Sequence, residues 1–527
     1  MKKYLLIAIL CLSSLLFLSQ TPPNNVNGFF GESGSFEILR SYQGKNNVLK
    51  VNSTKTQWSI FKYSLAQYRG TPITIEFSAD VRREGSAGMI KWQINNEPGF
   101  PSLSELENAS PRVWHSMRGR IIITPTNNYP ELYLTNYGVN SPTIFYLANP
   151  TITITTGNPL NPDLSLTPLK SVYENDFLIG NITNYDGIYM SGKYFDLLKH
   201  HYNIVTSAGT YPFQLAPSSK GGAYRFAEAD NIVNIAVRNN IRVHGHTLAW
   251  YGDDPSWLTE GSREEVIQNL NNYITTVVRH FRGRIASWDV INEAIKPNVT
   301  NAEARGNWKN CIINSQNASW VDNRWYSKLG ADYIEIAFRA ARAADSNITL
   351  YYNDNDLENP NKAEVVRKMI QDINDRYKTE TGGTRNLIEG VGSQTHIGSS
   401  TSSANLNINF NNIRTSLEKL CSLGIEVAIT ELDISVDGYN RGQGKDSTMS
   451  ERDALAQAVL YARLMNLFRE YSTHIKFVTF WGVDDNTSWL SGGNPTLFDW
   501  RLNAKPAFHA VSDPDGFLAR HGGRTRR

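Results

Sequence analysis

Cysteine is scarce in this chain, three residues in 527, and no Cys/His cluster has the spacing that holds zinc. No glycine-rich loop of the phosphate-cradling type is present. With no metal cluster and no phosphate loop, any chemistry falls to ordinary side chains, and no cofactor is expected. An excess of one charge is missing too. Lys+Arg number 52 against Asp+Glu 50, a net +2, which removes the general electrostatic case for a nucleic-acid partner. Beyond the first twenty residues no apolar run approaches the length of a membrane span.

The one long apolar run is at the start. MKKYLLIAILCLSSLLFLSQ has two lysines, an apolar stretch from Tyr4 to Leu18, then Ser-Gln, and reads as a secretory signal over residues 1–20. A secreted protein without membrane attachment after signal removal is expected. Leu10 precedes Cys11 where a lipoprotein signal takes a small residue, which argues against lipidation. For Cys311 and Cys421 a disulfide and two free thiols both stay open, since nothing in the sequence brings them together.

The length calls for two domains rather than one core. From about Asn25 to Thr156 the pattern is strand and turn. In ITIEFSADV, Ile73, Ile75, Phe77, Ala79 and Val81 share one face while Thr74, Glu76, Ser78 and Asp80 share the other, as in a half-buried antiparallel strand. VLKVNST, MIKWQIN, RIIITPT, ELYLTNY and PTITIT repeat the theme, so an all-β jelly-roll sandwich is expected over 25–156. GNPLNPDLSLTPLKS (157–171), with three prolines and no period, reads as a linker. Residues 513–527 read as a basic tail.

Within 172–512 eight strand-like runs alternate with helices. They are FLIGN, NIVTSAG, IRVHGHTLAW, IASWDVINE, ITLYYNDND, IEGVGSQTHIG, EVAITELDIS and KFVTFWGVDD. One intervening helix shows a stripe of Val266, Leu270, Tyr273, Ile274, Val277, Val278 and Phe281, opened by a Ser262–Glu265 capping box. Eight such units in roughly 340 residues predict a (β/α)8 TIM barrel. Polar residues gather at the C-terminal strand ends, where such a barrel keeps its active site. Glu293 and Glu431 each stand at one of those ends, and two carboxyls facing one cavity are what glycosidic hydrolysis requires. The 12 Trp and 25 Tyr offer the flat surfaces that sugars stack on, though a large core also absorbs aromatics.

HGHTLAW, SWDVINEA, YYNDND, GVGSQTHIG, ITELDIS and FWGVDDNTSW, in that order, with LFD and KPAF beyond, make residues 172–512 resemble glycoside hydrolase family 10, mainly retaining endo-β-1,4-xylanases. The leading domain, through FSADVRREG, KWQIN and YLANPTITI, is similar to carbohydrate-binding modules of the family 4/9/22 type. The resemblance implies Glu293 as acid/base and Glu431 as nucleophile. It gives Asn292 to the 2-hydroxyl of the sugar at the cleaved bond, and His396, backed by Asp433, to the nucleophile. His246, Trp250, Trp481 and Trp489 become pocket walls, with Gln394 binding beside them and Asp289 behind. Asn353 and Asp354 become members of a network near the mouth. The implied partner is a polysaccharide, xylan or a related β-glycan, bound by a monomer.

One stretch departs from the family pattern. Where the family shows T-x-E-N-x-x-K, whose Glu, Asn and Lys grip the next sugar on the non-reducing side, this chain has TSAGTYP, placing Ala208, Gly209 and Pro212 at those positions. Tyr251 stands where the family commonly has histidine. Tyr211 or Gln214 could rebuild the grip for xylan; alternatively the substrate is a decorated xylan or another β-glycan. A non-catalytic polysaccharide-binding protein is the reading from another class, resting on this stretch alone. In the leading domain Trp58, Tyr63, Trp92 and Trp114 are each either core or sugar platform, and Trp92 depends on strand register.

Overall fold

The computed structural model describes residues 27–521, apart from 28, 32–35, 54–59, 86–87, 95–101, 126–129, 138–142, 158, 185–186, 253, 399–408, 436–448 and 491–492. The signal over 1–20, Trp58 and residues 522–527 therefore lie outside the described residues, while the earlier part of the stretch read as a basic tail is a helix, Pro514–His521, that buries Phe517 against Ala458 and Ala462. The chain divides into two compact units, with the boundary between Pro159 and Leu160. Most of the stretch read as a linker belongs to the second unit. Leu160 and Leu169 are buried, Asn161 N donates to Arg501 O at 3.1 Å, and Leu169–Val172 is a helical turn. Buried leucines decide its packing, and the prolines only shape its path.

In the first unit two five-stranded antiparallel sheets face each other. One runs in the order Phe30–Gly31, Phe61–Ser64, Glu131–Tyr137, Gly88–Ile94, Ser102–Ala109. The other runs Phe36–Tyr42, Lys45–Ser53, Thr143–Thr156, Ile73–Arg83, Trp114–Ile123. The odd-numbered face of Ile73–Arg83 enters the shared core as the alternation predicts. Trp92 is fully buried there against Phe29 and Phe77, and Tyr63 packs on the same core. Trp114 instead joins an outer-face cluster with Leu39, Val48, Ile144, and Tyr42 stacked on Tyr146 at 4.2 Å. The strand Phe36–Tyr42 carries no clean alternation because it is an edge strand, exposed over much of its length.

The second unit is a closed barrel of eight parallel strands. They are β1 (Leu178–Ile182), β2 (Ile204–Ser207), β3 (Arg242–Gly245, continued by Ala249–Trp250), β4 (Ser287–Asn292), β5 (Thr349–Asp354), β6 (Gly390–Ser393, continued by His396–Ile397), β7 (Glu426–Ile434) and β8 (Ile475–Phe480). Pairing of β8 with β1 and of β3 with β4 completes the ring. Leu178, Ile204, Tyr351, Ala428 and Phe477 fill the interior, and His244 packs on Tyr351 and Phe477 just above. Gly390 lacks a side chain because a Cβ there would overlap the Tyr351 ring. The helix Arg263–His280 carries both halves of the Ser262–Glu265 capping box and buries the apolar stripe read from the sequence. The last two residues of the second run, Ala208 and Gly209, are not strand, since Ala208–Thr210 forms a 3-10 turn after Ser207. Cys311 and Cys421 are each free and buried. No helix among the described residues is long and apolar enough to cross a membrane.

His201, at the end of the helix Gly192–His201, makes the fold acid-sensitive. Its ring is fully buried against Phe498 and Phe508 at 5.4 and 5.0 Å, neither nitrogen has a hydrogen-bond partner, and burial pushes its pKa down to about 3. A depressed histidine pKa stabilises the fold fully above the ordinary value of 6.5, and that share is lost as pH falls toward the folded value. The loss amounts to about 1.4 kcal/mol per pH unit inside that window. Urea unfolding of wild type and His201→Leu from pH 7 to 4 should therefore show a flatter pH slope in the variant. Equal slopes would refute the assignment.

Candidate active site

Glu293 follows the last residue of β4 with φ +57°, a conformation uncommon for a residue with a Cβ. Three consecutive amides hold it there by docking on β5. Glu293 N donates to Asn353 O (2.9 Å), Ala294 N to the Tyr352 hydroxyl (3.2 Å) and Ile295 N to Asp354 Oδ2 (3.2 Å). Asp354 is anchored in turn by Lys362, Nζ to Oδ1 at 2.7 Å, both side chains fully buried. Burial pushes the Asp354 carboxyl up to about 6, against the pull of Lys362.

The Glu293 side chain is half-buried and accepts three hydrogen bonds. Trp250 Nε1 (2.9 Å) and the Tyr251 hydroxyl (3.3 Å) reach Oε2, and Gln394 Nε2 (2.9 Å) reaches Oε1. Glu431 is 4% exposed. Its Oε1 accepts from Asn353 Nδ2 at 2.8 Å, its Oε2 lies 3.1 Å from His396 Nε2, and His246 Nε2 is 4.0 Å from Oε1. Glu431 is not the end of its strand. Residues Leu432–Ile434 continue β7 because His396–Ile397 pairs with Asp433–Ile434.

One acceptor ties the two carboxyls together. Asn292 Oδ1 receives Asn353 Nδ2 at 3.0 Å and Gln394 Nε2 at 3.2 Å. A chain of amides therefore runs from Glu293 through Gln394, Asn292 and Asn353 to Glu431, and Thr430 Oγ1 fixes the other end of Asn353 at 2.7 Å. Amide donors cannot lose their protons at any working pH, so this geometry is fixed before a ligand arrives.

Histidines flank the network. His396 Nδ1 lies 3.0 Å from Asp433 Oδ1, and Asp433 Oδ2 accepts from Trp489 Nε1 at 2.8 Å. Burial opposes charge on His396, but Asp433 and Glu431 on its two sides overcome it and hold its pKa well above the ordinary value. His246 Nδ1 and His244 Nε2 share Asp289 Oδ2 at 2.8 and 2.9 Å. Burial works against a charged His246, yet Asp289 and then Glu431 raise its pKa. The Trp481 ring stands 5.4 Å from His246 and 6.5 Å from His396. The ten residues read from the sequence as catalytic, supporting or substrate-binding, namely Asn292, Glu293, His246, Trp250, Gln394, His396, Glu431, Asp433, Trp481 and Trp489, thus meet at one end of the barrel.

In the divergent loop Ala208, Gly209 and Pro212 are all buried. A side chain at Gly209 would meet Ile232 Cδ1 at 2.9 Å, so this position faces a helix. Thr210 Oγ1 is taken up by Ser207 O and His246 O. Tyr211 lies edge-on to His246 at 5.1 Å and 6.5 Å from Trp250, which puts it beside two of the residues read from the sequence as walls.

The model of glycosyl hydrolase family 10 matches residues 168–514. The chain belongs to that family. Endo-1,4-beta-xylanase A of Thermoanaerobacterium saccharolyticum is 31% identical over 93% of this family 10 chain. Exoglucanase XynX of Acetivibrio thermocellus is 31% identical over 80%. The chain spans 40% and 37% of those two relatives' own lengths. A crystal structure of a bacterial Ig-like-domain-containing family 10 xylanase from termite gut superposes with a TM-score of 0.60 at 32% identity, covering 75% of this chain and 91% of that one.

Asn353 and Tyr251 carry more of the site than their sequence setting indicated. Asn353 stands at the C-terminal end of β5, level with Asn292 across the β4–β5 pairing, and that register could have located it. Tyr251 directly follows Trp250, and its contact with Glu293 depends on a loop path that no periodicity encodes.

The Asp354–Lys362 pair supports the backbone that carries Glu293. Lys362→Met leaves a carboxyl buried without its cation, which should cost about 3 kcal/mol or more of stability. Activity should fall further than the folded fraction does, because Ile295 loses a firm anchor. Urea titration beside a rate measurement on folded protein checks both, and a neutral substitution would remove the ion pair from this account.

Proposed function

We propose that this chain hydrolyses internal β-1,4-xylosidic bonds of xylan with retention of configuration. The observation that carries the proposal is the amide chain joining Glu293 to Glu431, which gives two neighbouring carboxyls different partners. Glu431 attacks the anomeric carbon while Glu293 gives its proton to the glycosidic oxygen and the bond to the leaving sugar breaks. Glu293, now a carboxylate, takes a proton from water as that water displaces Glu431. Charged His396, held by Asp433, orients Glu431 through its contact with Oε2. Asn292 is assigned to the 2-hydroxyl, and Trp250, Trp481, Trp489 and His246 to the walls around the same sugar. Membership of family 10 and the xylanase name of one relative support the substrate class.

A decorated xylan or another β-glycan is the second reading. Burial of Ala208, Gly209 and Pro212 favours it, since hydroxyls of the next sugar meet no polar side chain from those positions and a substituent there costs little. The exoglucanase name of the other relative points the same way. For the first unit we propose carbohydrate binding through the outer sheet face that bears Trp114 and Tyr42. We also propose export of the chain, supported by its opening residues.

Reducing-sugar release from xylan, mixed-linkage glucan and carboxymethylcellulose separates the substrates. Xylan should be cleaved fastest, and Glu431→Ala should lose on the order of a thousandfold or more, as loss of a covalent nucleophile does. No turnover of xylan beside turnover of another glucan would sink the xylanase reading. A wild type as inert as the variant on every substrate would leave a binding protein. For the first unit, full-length Trp114→Ala should be retained less well than wild type on insoluble xylan, and equal retention would count against that face.

A further inference from the structure

We propose that Tyr251 is a positioning residue that assigns the transferable proton of Glu293 to Oε1. The inference rests on Glu293 being the acid/base. A carboxylate oxygen offers two lone-pair sites. On Oε2 both are taken, by Trp250 Nε1 at 2.9 Å and the Tyr251 hydroxyl at 3.3 Å. Among the described residues Oε1 receives Gln394 Nε2 at 2.9 Å, which leaves one site open.

A proton on Oε2 would have to displace an indole N–H, which can only donate, or reverse the tyrosine hydroxyl. A proton on Oε1 disturbs neither. The neutral acid then has Oε2 as a carbonyl accepting two hydrogen bonds and Oε1 as the hydroxyl that delivers. As the glycosidic bond breaks, the Oε1 proton moves to the leaving oxygen, and Glu293 becomes a carboxylate that keeps all three donors. Trp250 alone would leave the second site on Oε2 free to compete for the proton.

Tyr251 is seated for this task. Its ring packs on Ile313, Ala318 and Val321, and that loop is tied to the backbone just after Glu293 through Ile313 N to Ala294 O and Lys296 N to Cys311 O, both 2.9 Å. The hydroxyl and the carboxyl therefore share one support. Burial, then the Glu293 charge, keeps the phenol protonated far above neutral pH. The charged groups around Glu293 each have a partner of their own: His246 with Asp289, Asp354 with Lys362 and Glu431 with His396. The donors on Oε2 are both neutral.

The test compares kcat/KM against pH for wild type, Tyr251→Phe, Tyr251→His and Glu293→Ala on two probes. Xylohexaose has a leaving group that needs protonation, and a 2,4-dinitrophenyl β-xylobioside has one that does not. Tyr251→Phe should lose about tenfold on xylohexaose, part of the gain a general acid supplies, and much less on the aryl glycoside. Its alkaline limb should move up by about half a pH unit to one unit, because the carboxylate form has lost a donor. Tyr251→His, which restores an N–H donor, should recover most of the loss. Equal losses on both probes, or an unmoved limb, would reduce Tyr251 to packing and overturn the proposal. If Glu293→Ala shows the leaving-group dependence and Tyr251→Phe does not, this inference falls alone. If Glu293→Ala shows none, the acid/base reading falls with it.

Discussion

The shared oxygen of Asn292 is the constraint on which the site depends. Glu293 and Glu431 stand on β4 and β7, which are not neighbours in the barrel, and two strands separate them on the shorter way round. Asn353 on β5 and Gln394 on β6 span that gap by donating to the same Asn292 Oδ1 while each also reaches a carboxyl. The relay closes only if four strands hold their register together. Parallel pairing from β4 to β7 is therefore what makes the carboxyl geometry, and each link costs little because every donor finds an acceptor.

The two carboxyls are held differently, and the difference suits the two tasks proposed for them. Glu431 is buried, and its Oε2 lies 3.1 Å from a histidine that stays charged. Glu293 is half-buried and accepts from three neutral donors, Trp250, Tyr251 and Gln394. The left-handed turn at Glu293 lifts its side chain out of the strand alternation, and the docking of residues 293–295 on β5 meets the conformational cost. A fully buried ion pair, Asp354 with Lys362, lies under this turn.

Much of this was legible from the residues. The eight apolar runs, the capping box at Ser262 and the grouping of polar residues at strand ends follow from periodicities that burial enforces. Glu293 and Glu431 were visible because a carboxyl at the end of an apolar run is costly unless it is used. What stayed hidden depended on contacts between loops. Tyr251 reaches Glu293 only because the loop carrying Ile313, Ala318 and Val321 folds back on it. The linker reading of 157–171 missed Leu160 and Leu169, which bury themselves where three prolines suggest an extended path. Trp92 and Trp114 look alike in sequence, and only register sends one to the core and the other to an outer face.

The loop after β2 follows from the same rule that governs the carboxyls. A polar side chain at 208 or 209 would enter a buried position, and such a group is tolerated only with a partner. Here the hydroxyl of Thr210 is already spent on backbone carbonyls, and position 209 faces Ile232 rather than the pocket. Apolar residues are the consistent choice for that local path. Under the function proposed above, recognition beyond the cleaved sugar shifts from hydroxyl pairing toward ring faces such as Tyr211. A ring face discriminates by shape and contact area, whereas a buried hydrogen-bond partner rejects any sugar lacking the matching group. On that proposal the reacting centre stays rigid while the neighbouring subsite becomes permissive, because the amide relay draws none of its members from this loop.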